Sequence, residues 1–267
     1  MHPMERLRMV ARASDEDPGL LAGEAAAALA GCADDPRALV MACRRLVDRQ
    51  PTSGPLWWLA ARVVASPDPQ TEAWRSAEAL RVDETPAVMA ASLPDDVVVT
   101  VLGWPEQVTE ALRRRGDAQV LVVDSLGYGS PLVAALDRSG SVATLVPESG
   151  TAAAVAASAL VLLDASAVGP GGFLAVTGSR AAAAVAYTEQ IPVWVVAGVG
   201  RVLPARLWDA LVDKVTALGH PWDAGWEVVP IELATAVVGP DGPKPPAEAL
   251  DRGDCPDAPE LTGGTSG

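Results

Sequence analysis

The residues best placed for chemistry lie between Ala159 and Ala186. An apolar run, Leu160 to Leu163, ends at Asp164, with Ser166 just beyond. Gly169-Pro170-Gly171-Gly172 then forms a turn, Phe173 to Val176 a second apolar segment, and Thr177-Gly178-Ser179-Arg180 opens an alanine-rich run. A short apolar run bounded by turn formers reads as a buried strand. The Thr-Gly-Ser start reads as a helix N-terminus, where backbone N–H groups lack partners and partial positive charge collects. Small residues there let an anion approach the main chain. Thr177, Gly178, Ser179 and Arg180 are therefore candidates for binding a small anion such as phosphate. The same pattern is satisfied by a strand, a turn and a capped helix with nothing bound. Asp124 and Asp164 are a second possibility, because each ends an apolar run. Two carboxylates in one cleft would raise one pKa and share a proton. Held apart, each would cap a helix or turn.

The elements that position these residues follow from periodicity. After a polar, frayed start over residues 1–18, helices are predicted from Leu20 to Ala33, Arg37 to Arg49, Leu56 to Val64 and Thr71 to Leu80. Thr52 or Ser53 can cap the third, with Pro55 in its first turn. Trp57 and Trp58 point about 100° apart on a helix. One is expected in the core and the other against a neighbouring domain or subunit. Residues 1–92 thus read as a helical domain.

From residue 93 the pattern changes. Strands are predicted at Val97–Leu102, Val120–Val123, Val142–Val146, Leu160–Leu163 and Val193–Ala197, separated by short helices. That alternation implies βαβ units and a doubly wound, mainly parallel, Rossmann-like sheet over residues 93–240. Ligands of such sheets bind beyond the carboxyl ends of the strands, here near Gly103, Asp124, Ser125, Pro147, Glu148, Asp164, Ser166, Gly198 and Gly200. One more element is predicted from Trp226 to Val238. Residues 241–267, rich in Pro, Gly and Asp and without aromatics, read as a disordered tail.

Composition excludes several function classes. The net charge of −14 disfavours nucleic-acid binding, which needs clustered Lys and Arg. Cys32, Cys43 and Cys255 lack metal-ligand spacing, and His2 and His220 are too few for a histidine-based metal site. No metal is expected. Cys43 falls on the buried face of its helix and reads as a packed thiol. Gly198-Val199-Gly200-Arg201 is half of a dinucleotide fingerprint, but Leu203 stands where the third glycine belongs. No cofactor is expected. No secretory signal opens the chain, and no apolar run reaches the ~20 residues of a membrane span. A cytoplasmic location is expected.

Several stretches carry a family resemblance. They are Pro51-Thr52-Ser53, Gly171-Gly172-Phe173-Leu174-Ala175-Val176-Thr177-Gly178-Ser179, Ile191-Pro192-Val193 and Trp226-Glu227-Val228-Val229-Pro230. With them, residues 20 to 240 resemble the alpha, beta and delta regulatory subunits of initiation factor 2B. The same family includes the methylthioribose-1-phosphate and ribose-1,5-bisphosphate isomerases. The resemblance implies a helical domain followed by a doubly wound one, pairing of subunits through the latter, and a sugar-phosphate site. It adds Thr52, Ser53, Ser125 and Ser166 to the candidate ligand-binding residues.

The isomerases use a cysteine and an aspartate. The aspartate position aligns with Ser166, and the loop expected to hold the cysteine, Thr100 to Pro105, has none. The family's Glu-Ser-Arg-Pro segment reads Asp124-Ser125-Leu126-Gly127, so its phosphate-gripping arginine is gone. A serine cannot replace a carboxylate in proton transfer; only Asp124 and Asp164 could rescue it. The expected function is a non-catalytic member that binds a sugar phosphate or nucleotide, or acts as an assembly or regulatory subunit. The alternative is an aldose–ketose phosphate isomerase with rearranged residues. A homodimer or larger homo-oligomer is expected, with a small phosphorylated ligand as the other partner.

Overall fold

Prolines and capping side chains start the N-terminal helices. In the computed structural model, residues 18–263 are described, and most of the expected frayed start lies outside them. The helices are α1 (Pro18–Ala30), α2 (Pro36–Arg49), α3 (Gly54–Ala65), α4 (Pro69–Arg81) and α5 (Thr85–Ser92). Asp35 accepts the N–H groups of Arg37 and Ala38 at 2.9 and 3.2 Å, and Asp68 accepts that of Thr71 at 3.1 Å. Each bond satisfies a donor that the helix leaves orphaned. Helix α5 is absent from the sequence reading, although Pro86 in its first turn is a start signal. Its Met89 and Ala90 pack with β1 and α6 (defined below) rather than with α1–α4.

The α/β part runs β1 (Val98–Leu102), α6 (Glu106–Arg113), β2 (Gln119–Val123), α7 (Gly129–Arg138), β3 (Val142–Val146), α8 (Thr151–Ala156) and β4 (Leu160–Asp164). It continues with β5 (Ala167–Gly169), β6 (Gly172–Val176), α9 (Ser179–Thr188), β7 (Val193–Val196), α10 (Ala205–Thr216), β8 (Trp226–Val229), β9 (Ala236–Gly239), β10 (Gly242–Lys244), α11 (Pro246–Leu250) and α12 (Pro259–Thr262). The main sheet has seven strands in the order β10-β9-β7-β4-β1-β2-β3, parallel except for β10. The α/β class and the parallel sheet match the expectation. The winding reverses between β1 and β4, which makes their carboxyl ends the place where a crevice opens.

Two sequence expectations need correction, and the Phe173–Val176 segment, read from sequence only as a second apolar segment, does not join the main sheet. As β6 it sits between β5 and β8 in a separate antiparallel sheet of three strands. The single element expected from Trp226 to Val238 is broken after Pro230 by a 3-10 turn, and its halves, β8 and β9, enter different sheets. The disordered tail is also overturned over residues 241–263, which carry β10, α11 and α12. Ala258 and Leu261 are buried in the same apolar cluster as Leu46, Trp57 and Leu207. Arg44 of α2 donates to the Glu260 carbonyl at 2.6 Å.

Both tryptophans of α3 are buried within the chain. Trp57 donates to the Pro51 carbonyl at 3.1 Å, inside the helical cluster. Trp58, buried in the same cluster, donates to the Asp254 carbonyl at 3.2 Å. The Arg62 guanidinium lies 4.8 Å over its ring. What Trp58 packs on is therefore the C-terminal segment of its own chain.

Arg115, after α6, clamps the end of α5. It donates to the carbonyls of Ala90, Leu93 and Pro94 at 3.0, 2.7 and 2.9 Å, and pairs with Asp117 at 2.7 Å. The Arg115 hydrogen bond and the Asp96 amide hold the Asp117 carboxyl far below its ordinary value of 3.8. A lowered carboxylate pKa contributes stability that is present above the unfolded value and lost as pH falls through the native one. Urea unfolding should therefore show Asp117→Asn less stable than wild type at pH 6, with the gap closing as the solution is acidified. A gap independent of pH would contradict this.

Candidate functional site

At the β1/β4 crevice the main chain delivers Asp164 from the end of β4 and the α6 N-terminus from the loop after β1. Asp164 is engaged on both oxygens. One accepts the Gln107 backbone N–H at 3.0 Å, and the other pairs with the Arg201 guanidinium at 2.8 Å. Arg201 also donates to the Ala165 carbonyl at 2.6 Å. Both side chains are about nine-tenths buried, at 10% and 11% exposure. Burial pushes the Asp164 carboxyl above its usual range; the Arg201 charge and the Gln107 amide pull against it, and nearby Asp83 adds to the rise.

The next layer closes over this pair. Gln107 donates to Asp83 at 2.7 Å and accepts the Gly198 N–H at 3.0 Å. Asp83 also accepts the Val199 N–H at 2.9 Å and the Thr85 hydroxyl at 2.6 Å. Arg252 donates to the Ala197 and Gly198 carbonyls, both at 3.0 Å. A Cβ at Gly198 would overlap Asp83 and Gln107, so glycine is needed for this close approach. The carboxyl ends of β1, β4 and β7 are thus capped by side chains from the α4–α5 loop, from α6 and from the C-terminal segment.

The sequence-predicted residues fall into two groups. In the first, the Ser166 hydroxyl donates to the Thr52 carbonyl, and Ser53 is the N-cap of α3 without a side-chain capping bond. These residues tie the start of α3 to the segment between β4 and β5. In the second, buried Ser125 donates to the Thr177 carbonyl at 2.8 Å. That bond joins the end of β2 to the turn entering α9. Gly178 is the α9 N-cap at φ +93°, a conformation that only glycine adopts readily. The N–H of Arg180 donates to the Glu227 carboxylate at 2.9 Å, while the Arg180 side chain is exposed. Glu227 is therefore the anion at the α9 N-terminus. The Ser179 hydroxyl is buried without a hydrogen-bond partner among the described residues.

The two carboxylates considered as a pair are not neighbours in the sheet, since β1 lies between β2 and β4. Asp124 accepts the Gly129 N–H at 2.9 Å and caps α7. Asp164 holds α6 and Arg201. Sequence reasoning missed Asp83, Gln107, Arg201, Glu227 and Arg252. The glycines flanking Val199 were the one local signal for Arg201; the others are joined only by the fold.

Burial pushes the Cys43 and Cys255 thiols up to about 12, which suits packed thiols rather than nucleophiles. No group of three His, Cys, Asp or Glu among the described residues could hold a metal ion. No described helix is long and apolar enough to cross a membrane.

No protein-family model matches the chain, and no curated protein matches it in sequence. Solved structures do match in fold. Translation initiation factor eIF-2B of Pyrococcus horikoshii OT3 superposes with a TM-score of 0.75 at 15% identity, over 93% of this chain and 98% of its own. The eIF2B beta subunit of Chaetomium thermophilum gives 0.73 at 16% identity, over 98% of this chain and 92% of its own. A chain of the tetrameric eIF2B-beta2-delta2 complex from C. thermophilum gives 0.73 at 17% identity, over 93% and 92%. The likeness is one of fold and takes in nearly the whole of each chain.

Proposed function

We propose that this chain, which carries the fold of the initiation factor 2B subunits, is a non-catalytic assembly or regulatory subunit. The observation behind the proposal is the engagement of the crevice groups with one another. An isomerase of a sugar phosphate needs an acid and a base near the working pH, free to reach adjacent carbons. Asp164 is held by Arg201 and the Gln107 amide, and the Ser166 hydroxyl by the Thr52 carbonyl. The loop from Thr100 to Pro105 supplies no thiol. A phosphorylated ligand at Thr177 to Arg180 would have to compete with Glu227. One of the similar structures is a tetrameric complex of beta and delta subunits, and assembly is the role extended here to this chain.

Purified protein incubated with methylthioribose-1-phosphate or ribose-1,5-bisphosphate should give no turnover. Turnover that follows the chain through successive chromatographic steps would overturn the reading and favour an isomerase with rearranged residues.

A further inference from the structure

We propose that the aromatic surface at the carboxyl ends of β1 and β2 docks an arginine-rich peptide segment of a partner protein. The inference rests on the assembly reading above and gives the chemistry of the partner.

The loops after β1 and β2 and the loop before β8 meet at the turn between β6 and α9. The Ser125 hydroxyl donates to the Thr177 carbonyl at 2.8 Å, and the Thr177 N–H donates to the Gly225 carbonyl at 3.0 Å. Leu126 Cδ1 stands 3.5 Å from where a Gly225 Cβ would be, and Val176 pairs with Trp226 across the β6–β8 ladder. Gly103, at the end of β1, lies against Val176 and Ser125. Around this junction Trp104, Leu126, Tyr128, Trp222 and Trp226 are 41%, 54%, 44%, 79% and 38% exposed. Of the six exposed tryptophan and tyrosine side chains among the described residues, four stand on these loops and the strand they enter. The ring of Trp222 stacks on that of His220, with 4.9 Å between centres. An exposed apolar patch with a polar rim is the mark of an interaction site.

Charge selects the occupant. Glu106, Asp124, Asp223 and Glu227 lie on the same loops or next to them, and Glu148 follows the neighbouring strand end, against one cation, Arg180. The Asp124 N–H donates to the Val146 carbonyl at 2.9 Å, which brings the Glu148 loop beside that of Leu126. Asp223 and Glu148 are exposed and form no ion pair with a described residue. A neutral apolar partner would desolvate these carboxylates without a countercharge, which is costly. A second copy meeting this surface with its own would set the same acids against one another. A cationic segment neutralises them, and the net charge of −14 draws it in. Arginine fits better than lysine, because its flat guanidinium stacks on indole and phenol rings while its N–H groups donate to carboxylates. The chain makes the same contact internally: the Arg62 guanidinium lies 4.8 Å over the Trp58 ring and pairs with Glu72 at 2.6 Å.

The isotope-labelled full chain offers an indole N–H signal for each of its eight tryptophans. Titration with a short peptide alternating arginine and alanine should move the signals of Trp104, Trp222 and Trp226 and leave those of Trp57, Trp58 and Trp74 in place. The lysine counterpart should bind about threefold or more weakly, and the glutamate counterpart should move none of them. Trp222→Ala and Asp223→Lys should each weaken binding of the arginine peptide about fivefold or more. Both side chains are exposed, so the melting temperature should not change. Trp74→Ala, on α4, should bind as wild type does. No shift at millimolar peptide, shifts at Trp74 alone, an equal response to the glutamate peptide, or an affinity indifferent to Trp222→Ala and Asp223→Lys would overturn the proposal. So would self-association that Trp222→Ala abolishes, because the surface would then belong to a second copy. Isomerase turnover would overturn the non-catalytic reading and leave the titration standing, whereas a failed titration does the reverse.

Discussion

Asp164→Ala should lower stability by about 3–5 kcal/mol, the range for removing one partner of a buried ion pair. The variant leaves the Arg201 guanidinium nine-tenths buried without its countercharge and the Gln107 N–H without its acceptor. The loss should spread outward, since Gln107 is also the link between Asp83 and Gly198. Arg201→Ala should cost a similar amount. The double variant should cost less than the two losses added, because the second change removes a charge already unpaired. Urea unfolding of the four proteins near neutral pH makes the comparison. A loss below about 1 kcal/mol for Asp164→Ala would place the pair with ordinary surface ion pairs and remove the main support for a crevice closed by its own residues.

Deleting residues 241–267 should unfold much of the protein. The segment supplies the Asp254 carbonyl that accepts from both Trp58 and Arg62. It also supplies the Arg252 guanidinium that satisfies the carbonyls of Ala197 and Gly198. Each buried polar group left unpaired costs about 1–3 kcal/mol, and exposing the Leu261 contact face costs about 1.5–3 kcal/mol more. The sum exceeds about 5 kcal/mol, the lower end of the stability of an ordinary domain. Expression as insoluble protein, or a flattened near-ultraviolet spectrum, is the expected result. A soluble truncated chain melting within a few degrees of the intact one would show that the segment only decorates the surface.

The two cases mark where local reasoning stops. The parallel strands were legible because β1, β2, β4 and β7 are short apolar runs bounded by turn formers, and a strand of a parallel sheet writes its burial into consecutive residues; β3 is an apolar run as well, although it lies exposed at the sheet edge. Helix starts depend on caps within three residues of the donors they satisfy, as at Asp35 and Asp68, whereas the cap expected at Thr52 or Ser53 makes no side-chain bond. The C-terminal segment misled because it carries little apolar surface of its own. Its order comes from Trp58 and Arg62, which lie 196 and 192 residues away in sequence from the Asp254 that they meet.

The candidate site divides along the same line. Gly178, Ser179 and Arg180 at the start of a helix, and Asp124 and Asp164 at strand ends, are positions that sequence alone determined, since each depends on neighbours a few residues away. Net charge and the absence of ligand spacing likewise needed no structure to disfavour nucleic acid and metal. Tertiary structure alone decided what those residues touch. It brought Arg201 to Asp164 across 37 positions and Glu227 to the Arg180 amide across 47. It set β1 between Asp124 and Asp164, and β6 in a sheet apart. Periodicity and capping act over one turn or one strand. Which buried charge finds which partner depends on the order in which the strands lie side by side, and no local pattern records that order.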